Sequence, residues 1–419
     1  MSKPNRGKAP YVRPLQRVEI SESNVKLRLI LIVLLLAIAA TALVVGVSSA
    51  LKTEPGWQPV TVQSLKVNCG DDFVLDYDFS ADGSAASSQF KKLTTLYSTA
   101  CEDAYRIFNA YASGEGAANV YDLNERPNEP VTVDPVLYHA LELLQRYQSR
   151  NLYLAPVYTE YDRIFRSESE VEAASYDPVQ NQELVADFAK LAFFANDPSM
   201  IDMQLLGNNQ VKLVVADAYL TFAKDYEIER LIDFSWMKNA FIADYLAQVL
   251  TDHGFTNGYL VSFDGFTRNL DTRGNTYAFN VFDRMGKDIY TPAILTYTAP
   301  ASIVSLRDYP LSKSDVWHYY AFQNGRIANL LVDPADGMCK ASLDSLVSYS
   351  ADQSCAELLL QMIPVFISDD FSAEQVRMLM PAGIHSIWCE DSTVYYTDAQ
   401  ANLAIQPQPD VSYSKVFGG

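Results

Sequence analysis

The sequence predicts an α+β fold: one large domain of helices packed on mostly antiparallel sheet, behind an N-terminal apolar span. Three stretches predict it. Residues 233–271 read as a helix, a glycine stop, a strand and a turn. After them come short strands joined by hairpin signals. Before both, residues 29–51 run from Leu29 to Leu51 without a charge.

The unit at 233–271 organises the rest. From Ser235 to His253, apolar residues at Met237, Phe241, Leu246, Val249 and Leu250 recur close to the helical period. Gly254 then ends the helix, as glycine does just past a C-terminus. Tyr259–Phe263 reads as a buried strand, and Asp264-Gly265-Phe266 as the turn at its end. Ligands bind outside the carboxyl ends of strands, where loops turn backbone N–H groups toward a crevice.

The remaining elements follow in chain order. Residues 1–28 hold seven of the 32 Lys/Arg but two of the 51 Asp/Glu, and read as a basic cytoplasmic tail. Residues 29–51 are long enough to span a bilayer as a helix, and the preceding basic flank orients the large domain outward. The reading is a single-pass signal anchor in the cell membrane. A cleaved signal peptide with a Ser48-x-Ala50 site is the alternative. Residues 52–68 read as a linker, 69–405 as the domain and 406–419 as a flexible C-terminal tail. Residues 29–419 carry a formal charge of −24, which repels polyanions and excludes nucleic acid as a partner. Five cysteines, Cys69, Cys101, Cys339, Cys355 and Cys389, form no CxxC pair; buried thiols are expected, although a disulfide is permitted outside the membrane.

Phe73–Phe79 alternates as a strand, and residues 81–88 read as a flexible connection. Gln89–Tyr111 keeps a helical stripe, and a Gly-rich turn follows at 113–119. Asp134-Pro135 opens another helix, with Asp at the N-cap and Pro in the first turn. A third helix is expected at about Asn181–Ala195. Ile201–Leu206 and Val211–Val215 read as a hairpin across Gly207-Asn208-Asn209. Beyond the central unit, strands are expected at Tyr277–Phe282, Ile294–Thr298, Ser302–Leu306 and Ser345–Ser350. Hairpins are expected at Trp317–Phe322/Ile327–Val332 and Ser386–Cys389/Val394–Thr397, and a helix at Gln353–Ile367.

No GxGxxG, P-loop, GxSxG elbow or HExxH is present. The loops at Asp264-Gly265 and Asp333–Gly337 are candidates to hold an anion, or a cation through their acids. Asp333, Asp336, Glu357 and Gln361 are oxygen donors of the type that suits Mg²⁺ or Ca²⁺. Glu357 and Gln361, four apart, share a helix face. The plainer reading of both is a capped turn and a solvated helix face.

The order of these motifs resembles the ApbE family, the FAD:protein FMN transferases, across about residues 70–400. Leu123-Asn124 resembles the pair that ends the family's early helix, and Val133–Leu144 the helix after it. Ile232–Asp244 resembles the "lDLGGIAKGYAVD" segment. Ser262–Phe266 resembles the "N-x-GGD" turn, Leu330–Gly337 "HIIDPxTG", and Ala356–Gln361 "ADALAT". The resemblance implies a Mg²⁺-dependent enzyme that cleaves FAD, attaches FMN to a Ser/Thr of a partner redox protein and releases AMP. It implies cofactor contacts at Lys238, Asp264, Gly265, Asp333, Pro334 and Gly337, with metal at Glu357 and Gln361. Trp236, Phe263 or Phe266 would stack on a ring or lie in the core. Asp82-Gly83-Ser84-Ala85-Ala86-Ser87 faintly resembles the family's acceptor motif.

The departures imply the alternative. Leu330 stands at the family's His and can neither take a proton nor hold a phosphate. Ser235 and Trp236 replace two glycines, and Asn239 replaces a third. Glu357 and Gln361 replace the metal-binding Asp and Thr. These changes imply a catalytically decayed pseudoenzyme, serving as a flavin-binding or protein-interaction module on the same fold.

Overall fold

The computed structural model describes residues 56–63, 72–79, 84–311 and 318–419. The tail 1–28, the span 29–51, Cys69, Asp82-Gly83, Trp317 and most of the expected linker lie outside the described residues. Among the described residues no helix is long and apolar enough to cross a membrane.

The first elements among the described residues are strands β1 (Gly56–Val60) and β2 (Phe73–Phe79), then helices α1 (Ser84–Ile107) and α2 (Val120–Glu125). Strand β3 (Pro130–Thr132) and α3 (Pro135–Arg146) lead to α4 (Ala155–Phe165), α5 (Glu170–Tyr176) and α6 (Val185–Asn196). The hairpin β4 (Ile201–Gly207)/β5 (Gln210–Val215) and α7 (Asp217–Asp225) precede α8 (Lys238–Asp252), β6 (Gly258–Ser262) and β7 (Phe266–Asn269). Then follow β8 (Thr276–Met285), β9 (Asp288–Thr298), β10 (Ala301–Arg307), β11 (Tyr319–Ala321), β12 (Ile327–Asn329) and β13 (Ser345–Ser350). Helices α9 (Cys355–Phe366) and α10 (Ala373–Arg377) precede β14 (His385–Glu390), β15 (Thr393–Tyr396), β16 (Asn402–Ile405) and β17 (Ser414–Phe417).

A nine-stranded sheet, β1-β2-β6-β7-β10-β13-β14-β15-β17, carries the architecture. Its pairs are antiparallel except β15 with β17. Both faces are covered, which is why every residue of β10 is buried. Along β10 the side chains alternate between two cores. Val304 and Leu306 join the main core, against which α8 and α9 pack. Ile303 joins a smaller core with Val281, Ala293, Leu295 and Leu403 from the sheet β16-β9-β8. The α+β expectation therefore holds, with a second small sheet on the face away from the helices.

Local signals explain much of this. Asp134 Oδ1 accepts from the N–H of Val136 at 3.0 Å and caps α3. Asn208 and Asn209 sit at φ 51° and 59°, the left-handed pair that turns β4 into β5. Several expectations need correction. The linker contributes β1, because Gly56–Val60 finds an open edge beside β2. The tail contributes β17, which adds in parallel to β15. The flexible connection at 81–88 gives way to α1 from Ser84 onward, since Ala and Ser there extend the helix. The hairpin expected at Trp317–Phe322/Ile327–Val332 is short, with only Tyr319–Ala321 against Ile327–Asn329. Cys355 and Cys389 are buried thiols, as expected.

Candidate functional site

The site begins with a buried asparagine. Asn124 Oδ1 accepts from the N–H groups of Leu231 at 2.9 Å and Ile232 at 3.0 Å, and its amide donates to the Ile232 carbonyl at 3.0 Å. That fixes the irregular segment leading into residues 233–238. Asp233 then accepts from the Ser235 N–H at 2.9 Å. Burial raises the Asp233 pKa, while that hydrogen bond and the charge of Lys238 oppose the rise. Trp236 and Met237 are buried in this turn. Lys238 opens α8, and Arg230 Nε lies 3.9 Å from Asp233.

The turn after β6 is the next wall. Asp264 accepts from the Ser262 hydroxyl and, at 2.9 Å, from the Asn239 amide. Burial raises the Asp264 pKa, and Ser262, His318 and Asn239 oppose it. Gly265 lies at φ +109°, and a Cβ there would stand 2.3 Å from the Ser305 carbonyl oxygen, so only glycine fits. Arg307 on β10 donates to the Phe263 carbonyl at 3.0 Å. Phe266 is buried in the core, whereas Phe263 is half exposed.

Asp264, Trp236, Arg307, His318 and Leu330 line one cavity of ≈ 40 Å³. The structure therefore brings Asp264 to the same cavity as Leu330. Arg307, His318 and Asn329, which are part of the lining, belong to no motif the sequence displays. Among the described residues, His318 Nδ1 and Asn239 Oδ1 are buried without a hydrogen-bond partner.

No residue of the Asp333–Gly337 loop lines this cavity. Asp333 accepts from the Ala335 N–H at 2.8 Å through Oδ1 and from the Gly337 N–H at 2.9 Å through its carbonyl. Gly337 lies at φ +75°, and a Cβ there would stand 2.8 Å from the Phe188 carbonyl oxygen on α6. Tyr161 on α4 donates to the Gly337 carbonyl at 3.4 Å and accepts from the Cys339 N–H at 2.9 Å. Asp333, Pro334 and Gly337 thus form a loop that docks on α4 and α6. Lys340 Nζ lies 2.8 Å from Asp333, 2.9 Å from Asp336 and 2.9 Å from Asp369.

The expected metal ligands are also engaged elsewhere. Glu357 Oε2 accepts from the Ser354 N–H at 3.0 Å while Ser354 Oγ accepts from the Glu357 N–H at 3.2 Å, a reciprocal cap on α9. Glu357 Oε1 lies 3.7 Å from Arg146 on α3. Gln361 donates to the Glu357 carbonyl at 3.0 Å. Neither side chain meets Asp264 or Asp333, so the donor set does not fit a common magnesium ion. Among the described residues no group of His, Cys, Asp and Glu could hold a metal ion. The start of α9 is instead held by Asp244, which accepts from the N–H groups of Cys355 at 2.9 Å and Ala356 at 2.8 Å, with Arg268 at 3.4 Å.

No family model matches the chain, and no curated protein matches it. Solved structures do. The ApbE protein of Thermotoga maritima superposes with a TM-score of 0.53 at 12% identity, covering 79% of this chain and 94% of that chain. The flavinyl transferase ApbE of Pseudomonas stutzeri, in its apo form, gives 0.50 at 10% identity, covering 85% of this chain and 94% of that chain. At such identities the likeness is one of fold, and it agrees with the motif order along the chain. This chain has the ApbE fold, in a divergent form.

Proposed function

We propose that this protein is a non-catalytic relative of the flavin transferases, a protein-interaction module carried outside the membrane by the apolar segment 29–51. The observation that carries the reading is the cavity beside Asp264. It encloses ≈ 40 Å³, whereas small-molecule sites usually offer about 300–1,000 Å³. Trp236, at a position where the family has glycine, is one of the side chains around it, and Leu330 is another. Leucine offers neither a proton acceptor nor a phosphate ligand, which transfer of FMN requires. Glu357 is engaged in capping α9, which removes the expected cation from the diphosphate.

The transferase reading keeps one observation in its favour. Asp264, with its raised pKa, shares the cavity with His318, and such a pair suits proton transfer. Incubating the full chain with FAD and Mg²⁺ separates the two. The non-catalytic reading requires that no AMP appears, with or without Ser/Thr-containing acceptor proteins. Magnesium-dependent AMP release, or an FMN adduct on an acceptor by intact mass, would establish the transferase instead. Protease protection in sealed cells tests the membrane placement: the large domain is digested from outside while the tail 1–28 is protected.

A further inference from the structure

The chain's oxygen donors suggest a cation, and the structure supplies a positive charge from the chain itself. Asp333 and Asp336 were two of the four donors expected to hold Mg²⁺ or Ca²⁺. Both meet Lys340 Nζ, at 2.8 and 2.9 Å, and Asp369 joins them at 2.9 Å. Three ammonium donors thus face three carboxylates, one acceptor for each. The distances are those of charged hydrogen bonds; magnesium draws its oxygens in to about 2.0–2.1 Å.

The arrangement also crosses the fold. Asp333 and Asp336 lie in the loop after β12, while Asp369 follows the end of α9. One lysine therefore ties that loop to the helix, a task divalent cations often perform between acidic loops. Burial works against the Lys340 charge, but the hydrogen bonds to Asp333, Asp336 and Asp369 outweigh it and raise its pKa above the ordinary lysine value. The ammonium stays charged at any physiological pH. The other two expected ligands are engaged elsewhere, Glu357 with the Ser354 N–H and Gln361 with the carbonyl of Glu357.

We propose that Lys340 takes the place of a divalent cation in this protein, so that the Asp333–Gly337 loop is held and the domain is complete without metal. This rests on the non-catalytic reading in one respect: no metal-dependent transfer is required of the site.

The test uses the full chain stripped with EDTA, with no flavin present. Mn²⁺ binding is read by the loss of the free-ion electron paramagnetic resonance signal, and the thermal midpoint is read in EDTA and in millimolar Mg²⁺. The wild type should bind no stoichiometric Mn²⁺, and its two midpoints should agree within about 1 °C. Lys340→Met, which leaves three carboxylates without their partner, should lower the midpoint by at least about 3 °C in EDTA. Millimolar Mg²⁺ should recover part of that loss. Lys340→Arg, which keeps the charge, should fall less than Lys340→Met.

Stoichiometric Mn²⁺ on the wild type, or a wild-type midpoint that EDTA lowers, overturns the proposal. So does Lys340→Met with an unchanged midpoint. Should Lys340→Met not fold, the wild-type measurements and Lys340→Arg decide. The two readings fail separately. AMP release from FAD by metal-free protein would end the non-catalytic reading and leave Lys340 in its role. Stoichiometric Mn²⁺ without turnover would do the reverse.

Discussion

The side-chain amide of Asn239 donates to Oδ2 of Asp264 at 2.9 Å, tying the first turn of α8 to the turn after β6. Asn239 is buried and Asp264 half-buried, and the resembling family segment has glycine where Asn239 stands. Glycine could not make this bond, and Asp264 also stands where the resembling turn has glycine, so two departures from the family pattern form a pair of their own. Asn239→Gly should destabilise the protein by about 1–3 kcal/mol, the range for leaving a buried partner unsatisfied. Urea denaturation measures it. A change within about 0.5 kcal/mol, typical of neutral surface substitutions, would mean that the bond contributes nothing.

Trp236 fills space beside Asp264 and is nearly buried. Trp236→Gly should cost about 3–5 kcal/mol, as large-to-small core changes do. The variant's thermal midpoint and denaturation curve report it. A cost below about 1 kcal/mol would mean the indole is only loosely held, and that a larger pocket opens easily.

Asp244 joins α8 to the N-terminus of α9 through two backbone N–H groups and Arg268. Asp244→Ala should cost about 3 kcal/mol or more, because it leaves two helix N–H groups and a guanidinium without their acceptor. Asp244→Asn, which keeps one acceptor oxygen, should cost less. Equal stability of both variants and wild type would refute the role.

Asp308, next to Arg307 at the end of β10, sets a pH dependence. Burial pushes its pKa up to about 7; Arg284 pulls it down and Asp344 pushes it up. The folded state thus holds this proton more tightly than the unfolded state does. Its contribution is complete below about pH 4 and is lost as pH rises to about 7, then stays level. Denaturation at several pH values should show that fall in the wild type and a flatter profile in Asp308→Asn. Identical profiles would remove Asp308 from the account.

Much of the fold was legible because local chemistry and global position agree. The strand Phe73–Phe79, the Asp134 cap, the Asn208-Asn209 turn and the strand Ser345–Ser350 each declare themselves within a few residues. Residues 147–180 did not. Helix α4 does carry an apolar stripe, Val157, Tyr158, Tyr161, Ile164 and Phe165, but its first turn, Ala155–Tyr158, is buried all round and blurs the polar face that would mark its start. Strand β17 is exposed along its length and exists by adding to β15, a tertiary fact that no short pattern encodes.

The site was legible in its order and misread in its chemistry. Asp264 and Leu330 do come together. Ser354-Cys355-Ala356-Glu357 carries the spacing of a capping box, a signal in the sequence that ties Glu357 to the helix start and away from a metal. Lys340 was equally readable, four residues after Asp336, but its bond to Asp369 depends on how α9 ends. Arg307 and His318 reach the cavity from separate elements, and only the folded chain reveals them.

The central claim is that a flavin no longer fits beside Asp264. Isothermal titration of FAD into the full chain, with and without Mg²⁺, tests it most directly. No saturable heat is expected in either condition, and no AMP afterwards. Saturable binding that requires Mg²⁺ would contradict it, since it would mean that the cavity opens around the ligand and that a cation site forms with it.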